Sequence, residues 1–295
     1  MDTLNTAFKD YIRDAVSLAH VSTVVTEDTV YQEANKLILP FLDKMVEQLG
    51  LPGSRLDGLE HLEDLFAKAE SGASCLLLLE HYSNLDLSIF SWFLREAGGR
   101  GKEINDALVS IAGMKLTEDN PIVATFASAY TRLVIYPSRS LQTLDAEKDR
   151  DEIVRSNGIN RAAMKKLVEI KKQGKIILIF PSGTRYRPWD PSTKKGVREI
   201  DSYIRSFDYM CHVAINGEVL HVRRGDMLDD SVGKDLLLVT AGPVYSCAGF
   251  REKARAASEA AGIEDKKQAA VDAIMAELEK MHLEAEEVRR KLLET

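Results

Sequence analysis

From residue 74 onward, short apolar runs of strand length alternate with segments of helical period, and this alternation constrains the fold more than any other feature of the chain. The runs fall at 75–79, 107–111, 133–136, 175–180, 211–215 and 236–240, with helical segments at 86–96, 160–172 and 197–206 between them. Strands that alternate with helices predict an α/β core in which the connections cross between strands of one sheet. The runs are apolar at successive positions, which fits a sheet covered on both faces. The expected fold is a mixed, largely parallel central sheet flanked by helices.

The first 70 residues have a different texture. Phe8, Tyr11, Ile12, Ala15 and Ala19 follow the spacing of one apolar helix face. A second periodic segment covers 28–49 and stops at Gly50, before the breaker cluster Leu51-Pro52-Gly53-Ser54; a third piece spans 58–70. The pattern predicts a smaller N-terminal helical domain over 1–70 and an α/β domain over 71–295. The latter ends in one long amphipathic helix, 264–292, with Val271, Ile274, Met275 and Leu278 on one face.

Composition narrows the partners. A net charge of -7 argues against a nucleic-acid binder, whose affinity rests on clustered Lys and Arg. A local basic pocket for a phosphorylated small molecule is compatible with it. No stretch approaches the ~20 apolar residues of a membrane-spanning helix, and the acidic, amphipathic start MDTLNTAFKDYIRD is unlike a signal peptide. Cys75, Cys211 and Cys247 are scattered without a CxxC pair, so they read as buried thiols in a reducing compartment, with no metal site. The expected location is cytoplasmic, with a peripheral membrane contact as a further expectation.

Two strand ends carry residues suited to chemistry. The first is Glu80-His81-Tyr82-Ser83-Asn84-Leu85-Asp86, directly after the run 75–79. Functional residues of open α/β sheets gather beyond the carboxyl ends of strands. There a His serves as a general base, and a carboxylate on its second nitrogen fixes the tautomer. Within one helix, five residues rotate by ~500° and leave the two side chains ~140° apart. The pairing therefore requires His81 in the turn before the helix and Asp86 in its first turn. Taken alone, these residues equally suit a helix cap.

The second block is Phe180-Pro181-Ser182-Gly183-Thr184-Arg185-Tyr186-Arg187-Pro188. Gly183 permits close backbone approach, and Arg185 and Arg187 can grip a phosphate with planar forks. A third strand end delivers Arg139 and Ser140. Surface arginines on a Pro/Gly loop are the plainer reading of each block.

In order, the HxxxxD block, the strand-end Arg139, the FPxGTR block and the strand His212–Ile215 resemble the glycerolipid acyltransferase family, over about 74–240. Ser182, the second arginine of RYRP, the run 160–175 and the helical front section are most similar to the soluble plastid and bacterial glycerol-3-phosphate acyltransferases. A departure is Arg139-Ser140, where that branch carries a basic pair. The resemblance implies transfer of a fatty acyl group from acyl-ACP or acyl-CoA to the sn-1 hydroxyl of glycerol 3-phosphate, without a further cofactor. His81 and Asp86 would be catalytic, and Arg139, Ser140, Arg185 and Arg187 would hold the phosphate. The backbone at Ser182, Gly183 and Thr184 would face the oxyanion. A basic group, Lys194-Lys195-Arg198, is the candidate dock for an acidic carrier protein. Rival readings are a lysophosphatidate acyltransferase, a hydrolase of phosphorylated or thioester compounds, or a non-catalytic lipid- or carrier-binding homologue.

Overall fold

The structure, a computed structural model, describes residues 2–19, 24–118, 120–141, 143–225 and 227–294. The sequence-derived helical front section and its 1–70 boundary thus include Met1 and 20–23, which lie outside the described residues. Ten strands occur among them: β1 (Tyr31–Gln32), β2 (Arg55–Asp57), β3 (Cys75–Leu79), β4 (Leu108–Gly113), β5 (Arg132–Ile135), β6 (Ile176–Ile179), β7 (Tyr209–Asn216), β8 (Leu220–His221), β9 (Ser231–Val232) and β10 (Leu238–Ser246). Eight form one sheet in the order β1-β5-β4-β6-β3-β7-β10-β2, while β8 and β9 pair separately. The central strands β5, β4, β6, β3 and β7 are mutually parallel. Antiparallel partners close both sides, β1 on β5 and β10 on β7.

The unbroken apolar run of β3 is explained by its place between β6 and β7. Cys75, Leu77 and Leu79 enter one core with the helices Leu39–Leu49, Leu59–Glu70 and Asp86–Glu96. Leu76 and Leu78 enter the other core, under Arg150–Ile170, Ile200–Ser206 and Lys266–Leu293. A strand that must satisfy two layers has no polar face to alternate. The mixed, largely parallel sheet flanked by helices is therefore the fold, and the long C-terminal helix is present as expected.

Three elements differ from their sequence-based reading. The helix expected over 28–49 begins only at Leu39, preceded by a short 3-10 turn and by β1, which pairs with β5. Pro40 sits at the helix start, where its missing N–H costs nothing. A second short strand of the front section, β2, pairs with β10. The helix expected from 160 begins at Arg150, and its polar first half hides the start. Gly158 lets that half pass close to Glu27, because a Cβ there would lie 2.1 Å from the Glu27 Oε1. Cys75, Cys211 and Cys247 are free and buried, and burial pushes each thiol up to about 12. No helix of the described residues is long and apolar enough to cross a membrane.

Candidate functional site

His81 lies between the end of β3 at Leu79 and the helix Asp86–Glu96, the placement that the spacing requires. Its Nδ1 is 2.9 Å from Asp86 Oδ2. The same oxygen accepts the backbone N–H groups of Tyr82 at 2.6 Å and Ser83 at 2.8 Å. Asp86 Oδ1 accepts the Ser83 hydroxyl at 2.8 Å. Asp86 is 2% exposed, so its carboxylate is buried but fully supplied with donors. An ionised carboxylate can only accept. The Nδ1 must therefore carry its proton, which leaves the His81 Nε2 lone pair free to take one.

The two motif blocks are locked together at this point. The His81 ring stacks on Phe180 with centroids 4.1 Å apart, and Tyr186 N–H donates to the His81 carbonyl at 2.8 Å. Beside the imidazole is a cavity of about 250 Å³, lined by His81, Tyr82, Ser182, Tyr186 and Thr193 among others. Its far wall is the C-terminal helix, through Met275, Leu278 and Glu279. Lys194 is the cation in this lining; it pairs with Glu279 and lies over the Tyr82 and Tyr186 rings at 6.0 and 5.8 Å.

The remaining sequence-derived residues are spread around the site. Arg185 points to Asp230, a fully buried carboxylate to which one guanidinium nitrogen is bound. Arg187 is half-buried, its backbone N–H donates to Thr193 Oγ1 at 2.8 Å, and its side chain makes no ion pair among the described residues. Arg139 and Ser140 lie in the short helix Ser138–Leu141 after β5, outside the lining of the cavity, with Arg139 exposed and Ser140 half-buried. In the Ser182–Thr184 turn, Gly183 takes the left-handed conformation (φ +66) and its N–H donates to the Phe180 carbonyl at 2.9 Å. That donor is thus already used within the loop. Ser182 Oγ donates to the Thr184 carbonyl at 2.7 Å. Of the basic group, Lys194 is paired as above, and Arg198 binds Asp265 at 2.9 Å.

Sequence reasoning missed the contribution of the C-terminal helix. Glu80, 6% exposed, accepts the Tyr82 hydroxyl at 3.1 Å and Ile215 N–H at 3.0 Å. Its Oε2 is also 2.9 Å from the Nδ1 of His282. Burial alone lowers the affinity of His282 for its proton, but the hydrogen bond and charge of Glu80 outweigh it and hold the imidazole above its ordinary value. The available signal was polar residues at 282, 286 and 289, beside the buried face that the helical spacing carries on from Val271 through Leu278. Among the described residues no group of three or more His, Cys, Asp or Glu is placed to hold a metal ion.

Comparison with known proteins places this arrangement in a family. No curated protein matches the chain. Among solved structures, the 1-acyl-sn-glycerophosphate (LPA) acyltransferase of Thermotoga maritima covers 93% of this chain and 88% of its own, at 14% identity and a TM-score of 0.43. The sequence profile described as Acyltransferase matches residues 55–225, a span that runs from β2 past β8 and includes His81, Asp86 and the Phe180–Pro188 loop. With that span covering more than half of the 295 residues, the chain belongs to the acyltransferase family.

Proposed function

We propose that the protein is a glycerol-3-phosphate acyltransferase that moves a fatty acyl group from acyl-ACP or acyl-CoA to the sn-1 hydroxyl, giving lysophosphatidate. The observation that carries this reading is the His81–Asp86 pair, 2.9 Å apart, with His81 in the lining of a small cavity. His81 takes the proton of the attacking hydroxyl as its oxygen bonds to the thioester carbonyl carbon. The resulting imidazolium is stabilised by Asp86. The tetrahedral oxyanion then collapses, the C–S bond breaks, and the departing thiolate takes the proton from His81. The N–H groups of Ser182 and Thr184 are the oxyanion donors in this scheme.

The size of the cavity supports a small acceptor, since about 250 Å³ lies below the ~300–1,000 Å³ of pockets for drug-sized ligands. Arg187 supplies the phosphate with an uncommitted guanidinium, joined by Arg139 and Ser140. Arg185 offers the nitrogens that Asp230 leaves free. The apolar face of the N-terminal helix does not need a bilayer to cover it, because Phe8, Ile12 and Ala15 are buried in the core. This favours an acceptor taken from solution.

The test is acyl transfer by purified protein, without detergent, to glycerol 3-phosphate and to lysophosphatidate, with acyl-ACP and acyl-CoA in turn. Transfer to glycerol 3-phosphate that disappears in His81→Ala, with an unchanged circular dichroism spectrum, is the expected result. Transfer to lysophosphatidate alone assigns the second acceptor instead. Fatty acid released without acceptor dependence makes the protein a thioesterase, and no turnover of either acceptor leaves a binding homologue.

A further inference from the structure

The C-terminal helix does not need polar contacts to dock. Val271, Ile274 and Leu278 already bury it against the sheet. A turn later, however, half-buried polar residues run beside the buried Met281 and Ala285. Asn216 Nδ2 donates to the His282 carbonyl at 3.0 Å and to Glu286 Oε2 at 3.1 Å. Arg289 then joins Glu286 at 2.7 Å and Asp235 at 2.7 Å. At the head of this chain of contacts, His282 meets Glu80. A buried carboxylate and its partner are costly to desolvate, and apolar residues of similar volume would dock a helix at least as well. Their position is what distinguishes them, because Glu80 is the residue immediately before His81.

Glu80 and Asp86 hold the intervening segment from both ends. The Tyr82 hydroxyl donates to Glu80 and the Tyr82 N–H donates to Asp86. Fixing Glu80 therefore fixes Tyr82, and with it the backbone that presents the His81 ring. Ile215 N–H is the other anchor of Glu80 Oε2, but it is a neutral donor. His282 Nδ1, 2.9 Å away, is the side-chain partner of the same oxygen, and the hydrogen bond and charge of Glu80 hold the imidazole above its ordinary value.

We infer that His282 is a positioning residue for acyl transfer: through Glu80, the C-terminal helix sets the orientation of the His81 imidazole. This rests on His81 acting as the base of the reaction proposed above. His282 does not touch the reacting atoms in this scheme, so its loss acts on the geometry of the chemical step more than on acceptor binding.

The test compares wild type, His282→Ala and His282→Asn, the last keeping an N–H donor near the position of Nδ1. Two measurements are made, steady-state kinetics with glycerol 3-phosphate and hydrogen exchange over 79–86. The expected result for His282→Ala is a kcat about 10- to 100-fold lower, the scale of a small misplacement of a catalytic group, with the acceptor KM within about twofold. Exchange over 79–86 quickens in the same variant, and His282→Asn recovers most of both losses. An unchanged kcat in His282→Ala overturns the inference. So do equal losses in both variants that follow their melting temperatures, which is what mere helix docking gives. If the wild type transfers no acyl group, the functional reading fails by itself. Exchange over 79–86 then decides the positioning claim, and unaltered exchange in His282→Ala refutes it.

Discussion

Asp86→Asn separates the charge of the carboxylate from its shape. Asp86 Oδ2 accepts three N–H groups, from His81, Tyr82 and Ser83, and Oδ1 accepts the Ser83 hydroxyl. An asparagine carbonyl at the Oδ2 position keeps the first three. Its amide can donate to Ser83 Oγ, which already accepts Leu85 N–H at 3.1 Å and has a second lone pair for the purpose. The segment 81–86 should therefore hold its shape. What disappears is the anion opposite the imidazolium that forms during proton transfer. At the 2.9 Å separation and an effective dielectric of ~20, that attraction has a ceiling of about 6 kcal/mol. At ~1.36 kcal/mol per decade, the ceiling corresponds to about four decades in rate. The amide dipole and incomplete charge development return part of it, so a fall in kcat of roughly 1,000- to 10,000-fold is expected. Single-turnover transfer of a labelled acyl group to glycerol 3-phosphate reads the chemical step directly. Thermal melting alongside checks that the fold survives. A stable Asp86→Asn variant with kcat within tenfold of wild type would falsify the proposal that His81 becomes cationic in the reaction.

Two further substitutions probe the acceptor and the fold. Arg187→Ala should raise the KM for glycerol 3-phosphate by about 10- to 100-fold, the ~1.5–3 kcal/mol of a charge-assisted bond, while kcat changes little. Unchanged KM removes Arg187 from the phosphate site. His212, fully buried on β7 against Tyr245 and Phe250, has no partner for either ring nitrogen among the described residues, and burial lowers it to about 4. Between the ordinary histidine value of ~6.5 and about 4, the unfolded chain binds a proton that the folded chain does not, so stability is lost as pH falls through that window, by on the order of 3 kcal/mol. His212→Phe should remove this slope and raise stability near neutral pH by about 1–2 kcal/mol, as read by urea unfolding at several pH values. A less stable variant with the same acid slope contradicts the assignment.

The layered fold was legible in the sequence because burial on two faces leaves a plain trace. β3 and β6 are buried at every position, so each lies in a short run that is apolar throughout. The elements that escaped are those whose partners are remote. β1 and β2 are two and three residues long, too short to show a period, and they exist because β5 and β10 offer free edges. The helix start at Arg150 was hidden by a surface that needs no apolar stripe until the chain meets Glu27 at Gly158.

The site divides along the same line. His81 and Asp86 are five apart in sequence, and local geometry alone required the turn-then-helix arrangement that brings them to 2.9 Å. A motif records the residue type of Arg185 and not its neighbours. The Asp230 that engages it is 45 residues away. His282 is 202 residues from Glu80, and no local rule connects them. Its trace was a contradiction within one helix. Apolar positions at 271, 274, 278, 281 and 285 commit that side to the core, yet the half-buried positions beside them at 282, 286 and 289 are His, Glu and Arg. A helix that only had to dock would have stayed apolar there. Ionisable residues bordering a buried apolar face imply that the far wall has a polar group to meet, and the carboxylate met here is Glu80, the residue beside the proposed base.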